Sequence, residues 1–179
     1  KYFLFILLGL LVQTNYSQVN NSVLASGDWY KFSVDTTGVF KIDRSLLQQM
    51  GVSINGLNPK KIHIYGNGGQ LLPVVNSDFR YSDLQENSIY IEGENDGSFD
   101  GNDFILFYAK GPHDWDINLT NNSVEHRQNI YSDKSYYFIH VNEVDGKRIA
   151  INPDVATNAT LQINTFDDFI FKEKEEKSI

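Results

Sequence analysis

Two apolar runs separated by an acidic, glycine-rich loop place the firmest constraint on the fold. Residues 88–115 read SIYIEGENDGSFDGNDFILFYAKGPHDW. Ile89 and Ile91 alternate with Tyr90 and Glu92, the period-two pattern of a strand. Phe104–Ala109 is almost continuously apolar, as in a strand buried on both faces. Between the runs lie Glu94, Asp96, Asp100 and Asp103, interleaved with Gly93, Gly97 and Gly101. A turn at Gly111-Pro112 follows and is closed by Trp115. Most of the remaining chain reads as further strands that would pack on this pair.

Trp29–Val34 alternates, with Tyr30, Phe32 and Val34 on one face. Residues 35–38 read as a turn in which Gly38 is free to take positive φ, and residues 39–42 return to give a hairpin. Asp43 is placed to cap a short helix over residues 44–50, with Gly51 ending it in the left-handed conformation. Leu46, Leu47 and Met50 give that helix an apolar stripe. Residues 61–65 predict a strand with Ile62 and Ile64 facing inward, then a tight turn at 66–69 and a return strand at 71–75. Pro73 assigns the return strand to a sheet edge, because proline cannot donate to a ladder. Residues 116–129 are polar and predict a loop or an irregular strand. An aromatic strand follows at 136–141, a hairpin turn at Asp145-Gly146, its return at 148–151 and a last strand at 161–163. This pattern predicts an all-β fold, an antiparallel, jelly-roll-like β-sandwich with one short helix.

Composition narrows the function classes. The net charge is −8, which argues against a nucleic-acid partner. There are no cysteines, so this chain holds no disulfide, no Cys-ligated zinc and no cysteine nucleophile. Lys1 and the apolar run at residues 2–12, followed by a polar stretch to Ser17, resemble a secretory signal. We therefore expect residues 1–17 to be an N-terminally incomplete leader and residues 18–165 to be the β-domain. Residues 166–179 become charged after Phe171 and are expected to be a linker or the start of a next segment.

The acidic loop is the best chemical candidate. Glu94, Asp96, Asp100 and Asp103 are hard oxygen donors of the kind calcium takes, though their spacing is not that of an EF-hand. The alternative is that the Asp side chains bond backbone N–H groups in turns, with the glycines supplying positive φ. The four histidines, His63, His113, His126 and His140, form no local metal motif. Nor does any G-x-S-x-G occur that His113-Asp114 could serve, so no catalytic residue is assigned. The Gly66-Asn67-Gly68-Gly69 run lacks the Lys-Ser/Thr of a phosphate loop. Trp29, Trp115, Tyr136 and Tyr137 offer a glycan platform, which would make the chain a free-standing adhesion or glycan-binding module; otherwise these rings are core.

Several short runs, taken in order, resemble a known family. They are Trp29-Tyr30-Lys31, Gly38-Val39-Phe40-Lys41-Ile42, Ile64-Tyr65-Gly66-Asn67-Gly68-Gly69 and Leu72-Pro73. Asp96-Gly97-Ser98-Phe99-Asp100, Phe107-Tyr108-Ala109, Gly111-Pro112, Asn129-Ile130-Tyr131-Ser132-Asp133 and Tyr136-Tyr137-Phe138 continue the series. Together they are similar to the N-terminal region of the PorU family, the gingipain-like cysteine-peptidase sortases of type IX secretion. The resemblance implies a surface protein of Bacteroidota, exported through the inner membrane and associated with the outer membrane. In that family the β-region precedes a peptidase domain that removes cargo C-terminal signals and attaches cargo to surface lipopolysaccharide. The implied partners are that downstream domain, outer-membrane secretion components and cargo. No cofactor is implied beyond the calcium that the acidic loop suggests, and no peptidase residue maps onto this chain.

Overall fold

A computed structural model describes residues 22–151. The expected leader at 1–17, the strand at 161–163 and the segment 166–179 lie outside the described residues. The chain divides into two compact units, Lys1–Ile149 and Ala150–Ile179, and the fold below is that of the first.

Nine strands occur among the described residues: β1 (Trp29–Val34), β2 (Gly38–Asp43), β3 (Ile62–Tyr65), β4 (Glu86–Asn87), β5 (Ile89–Glu92), β6 (Phe104–Ala109), β7 (His113–Asn118), β8 (Ser123–Gln128) and β9 (Ser135–Val141). One α-helix, α1 (Arg44–Gln49), follows β2. The strands make a four-stranded sheet in the order β1-β9-β3-β4 and a three-stranded sheet in the order β2-β6-β5. A two-stranded ribbon, β7-β8, is separate. All these strand pairs are antiparallel.

One core joins the two larger sheets into the expected sandwich. The first contributes Val34, Ile62, Ile64, Tyr137 and Ile139, and the second Ile42, Ile89, Ile91, Ile105, Phe107 and Ala109. Phe107 reaches across, with its ring centroid 5.6 Å from Phe32 and 5.4 Å from Tyr137. The alternation read in β5 holds, since Ile89 and Ile91 are buried while Tyr90 and Glu92 are exposed. Helix α1 also forms as its cap predicts. Asp43 Oδ1 accepts from the Leu46 N–H at 2.9 Å and from the Ser45 hydroxyl at 2.7 Å. The hydroxyl first and the Leu46 amide second hold the Asp43 carboxyl below the usual carboxylate range. Gly51 ends the turn at φ 91°, and Leu47 is fully buried.

Four local expectations are corrected. The turn after β1 does not close a hairpin, because β1 pairs with β9 and β2 pairs with β6. It carries the chain from one sheet to the other, which lets both strands bury their apolar faces in one core. No return strand forms at residues 71–75. Strand β3 is already paired on both sides, with β9 and β4, so it offers no edge to a further strand. The chain leaves β3 through Gly66, whose N–H donates to Gln85 O, and Asn67 fastens the turn with bonds to Gln85 N and Asp83 O.

Strand β6 is buried on one face rather than two. Ile105, Phe107 and Ala109 are fully buried, whereas Tyr108 is 55% exposed and Lys41 lies over the Phe104 ring. Residues 148–151 do not pair back onto β9. Instead Ile149 N–H donates to Ile89 O, and Ile89 N–H to Lys147 O, so residues 147–149 run parallel along the open edge of β5.

Candidate functional site

The acidic loop between β5 and β6 is held by glycine geometry and by its own hydrogen bonds. Gly93 and Gly97, both left-handed, flank a single 3-10 turn at Glu94–Asp96. A side chain at Gly93 would also collide with the Asp103 carboxylate. Phe99 is 1% exposed and anchors the loop in the core. Its N–H donates to Leu57 O at 2.9 Å. Asp96 Oδ1 accepts from Ser98 N–H at 2.9 Å, and Asp103 Oδ2 from Asp100 N–H at 2.9 Å. These are the turn-capping bonds that short acidic side chains make.

Glu94 is used differently. Its carboxylate lies 2.6 Å from Arg148 Nε. The same guanidinium donates to Pro59 O at 2.8 Å, to Ile62 O at 3.3 Å and to Lys147 O at 3.2 Å. One arginine therefore ties the acidic loop to the start of β3 and to the segment along β5. Gly146 permits this approach, since a side chain there would meet Ile62 O and the Arg148 guanidinium. No local sequence signal marks this role of Arg148, which lies 54 residues from Glu94.

The structure thus places Glu94 against a cation of the protein and gives Asp96 and Asp103 backbone donors. Among the described residues, no group of three or more His, Cys, Asp or Glu side chains is arranged to hold a metal ion. Calcium needs about six to eight oxygens around one point. We therefore expect thermal melting to be unchanged between millimolar calcium and excess chelator. A rise with calcium would assign the loop a cation, because a ligand of the folded state stabilises it by mass action.

The histidines fall into two settings. His63 is buried and fully partnered, with Nδ1 2.7 Å from Glu86 Oε1 and Nε2 3.0 Å from Asn142 Oδ1 and 3.1 Å from Val144 O. Its neighbour across the sheet, His140, stacks on Trp29 at 4.3 Å. His113 and His126 lie on β7 and β8. Their nitrogens Nδ1 and Nε2 are 3.2 Å apart.

The four aromatic residues considered for a glycan platform do not share one surface. Tyr137 is 1% exposed, and its hydroxyl accepts from Lys110 N–H at 2.7 Å and donates to Lys110 O at 3.1 Å. Burial pushes its phenol pKa up. Tyr136 points outward with Lys31 Nζ 3.8 Å above its ring, and Trp115 belongs to the ribbon. A different apolar surface is present. Leu72, Val74, Phe79, Ile130 and Tyr131 are between 70% and 97% exposed, and part of this surface lines a cleft that also includes Leu71, Pro73 and Val75.

No known protein family and no curated protein matches this sequence. Among solved structures, the chain is similar to the crystal structure of dimeric latent PorU from Porphyromonas gingivalis. Identity is 27%, the TM-score is 0.57 and the match covers 79% of this chain. It covers 12% of the PorU chain, so this chain spans a small part of the length of that protein. Two lines, ordered sequence runs and superposed structure, therefore meet on one conclusion: the chain has a PorU-like fold.

Proposed function

We propose that this chain is a non-catalytic N-terminal β-domain of a cell-surface PorU-like sortase. Its task in this reading is to support a downstream gingipain-like cysteine-peptidase domain that trims and attaches exported cargo. The similarity to PorU at 27% identity over 79% of the chain carries the proposal. Two observations support it. The chain has no cysteine to serve as a peptidase nucleophile, and His63 is committed to Glu86 and Asn142. The exposed apolar residues around Val74 and Tyr131 would be covered by a neighbouring domain of a longer protein, as such patches commonly are.

The test removes residues 22–151 from the genomic copy of the gene and follows an exported cargo protein by mass spectrometry. The expected result is cargo that keeps its C-terminal signal and is lost from the cell surface. Normal trimming and surface attachment, together with a reading frame that stops close after Ile179, would overturn the proposal.

A further inference from the structure

The ribbon β7–β8 brings together two histidines that lie 13 residues apart in sequence. Trp115 faces His126 across the ribbon and His113 faces Gln128. Cross-strand partners share a face, as do residues two apart on one strand. His113, Trp115 and His126 therefore project from the same side. The two imidazoles stack with centroids 5.2 Å apart and planes inclined by 20°, and the Trp115 ring centroid lies 4.8 Å from that of His126.

The nitrogen separation is the informative quantity. His113 Nδ1 and His126 Nε2 are 3.2 Å apart. An ion about 2.1 Å from each of two nitrogens so spaced would subtend an angle of about 100°, between the square-planar and tetrahedral values. In the hydrogen-bonded pair one nitrogen donates and the other accepts. If the donating ring moves its proton to its other nitrogen, both lone pairs can be turned to one ion, each ring swinging by about 40° from the N···N line. Neutral imidazole suits zinc, nickel and copper, and leaves calcium and magnesium without the oxygen donors they prefer.

We propose that His113 and His126 form a two-imidazole site for a divalent transition-metal ion of the zinc–copper class. Among the described residues no third His, Cys, Asp or Glu joins them in a metal-holding group. This site is independent of the sortase reading.

The test uses the full chain carrying Trp29→Phe, which leaves Trp115 as its single tryptophan. Copper(II) is titrated while Trp115 emission is followed. Saturable quenching is expected, with zinc competing and calcium and magnesium inert. His113→Gln and His126→Gln should each weaken copper binding by about tenfold or more, a loss of about 1.4 kcal/mol per factor of ten. Unaltered quenching in both variants, or no saturation below about 1 mM copper, overturns the proposal. A measurement on the unsubstituted chain removes dependence on how the variants fold. Substoichiometric copper should broaden the imidazole proton resonances of His113 and His126 before those of His63 and His140. Broadening of His63 or His140 first would mark binding elsewhere and overturn it equally.

Discussion

Phe107→Ala is expected to lower the unfolding free energy by about 3–5 kcal/mol, the range for truncating a buried phenylalanine. The residue occupies the central strand of its sheet, with Phe40 of β2 and Ile89 of β5 as its cross-strand partners. Its ring is fully buried and meets Phe32 edge-on at 5.6 Å and Tyr137 at 5.4 Å, both on the opposing sheet. Truncation would remove the side chain that bridges the two layers and leave a cavity between them. The rings around it are held by strand pairing, so collapse can only be partial. Domains of this size are stable by only about 5–15 kcal/mol, so a loss of that size takes a large share of the total. Tyr108→Ala provides the internal control. Tyr108 is next in sequence but 55% exposed on the other face, and its truncation should cost about 1 kcal/mol or less. Urea unfolding of both variants decides the matter. Equal midpoints would mean that the sheets do not share the core described here.

The strands were legible because their signal is local. Period-two alternation in Trp29–Val34 and Ile89–Glu92 shows which residues face inward, whatever the partner strand. Strand pairing was less legible because it is not local: Trp29 pairs with His140, far along the chain. The turn at residues 35–38 was read as a hairpin because turn chemistry reports a reversal of direction, and a reversal occurs equally when the chain changes sheets. Strand β8 could be read only as part of a loop or an irregular strand because it buries no face; its residues are exposed or half-buried, with no apolar alternation to find. The opposite error arose at residues 71–75, where apolar residues suggested a strand for which β3 had no free edge. In the candidate site, the loop glycines and capping aspartates could be read from spacing. The partner of Glu94 could not, since Arg148 is 54 residues away and arrives through the segment that runs beside β5.

That arginine is where the second large effect is expected. Arg148→Met keeps an apolar stem of similar length and removes the guanidinium. Glu94 then loses its cation, and the carbonyls of Pro59, Ile62 and Lys147 lose a donor. Breaking a fully buried ion pair by removing one partner costs about 3–5 kcal/mol, because the remaining charge is left uncompensated. Here the two side chains are 22% and 25% exposed, so water can reach the stranded carboxylate. We expect about 2–3 kcal/mol, at or just below the low end of that range. Glu94→Gln should cost less, about 1 kcal/mol, because its amide oxygen still accepts from Nε and no unpaired charge remains. The asymmetry between the two variants is the diagnostic, and a symmetric loss would point to packing by the arginine stem instead. The damage should also be local in character. Amide hydrogen exchange is expected to quicken at Ile89 and Ile149, whose N–H groups form the pairing beside β5, and in the loop at residues 93–103. In β1 and β9, which the arginine does not reach, it should quicken by no more than the loss of global stability requires. If Arg148→Met shifts stability by less than about 0.5 kcal/mol, then Gly93, Phe99 and the aspartate caps hold the loop without it, and the bond to Glu94 is ornamental to the fold.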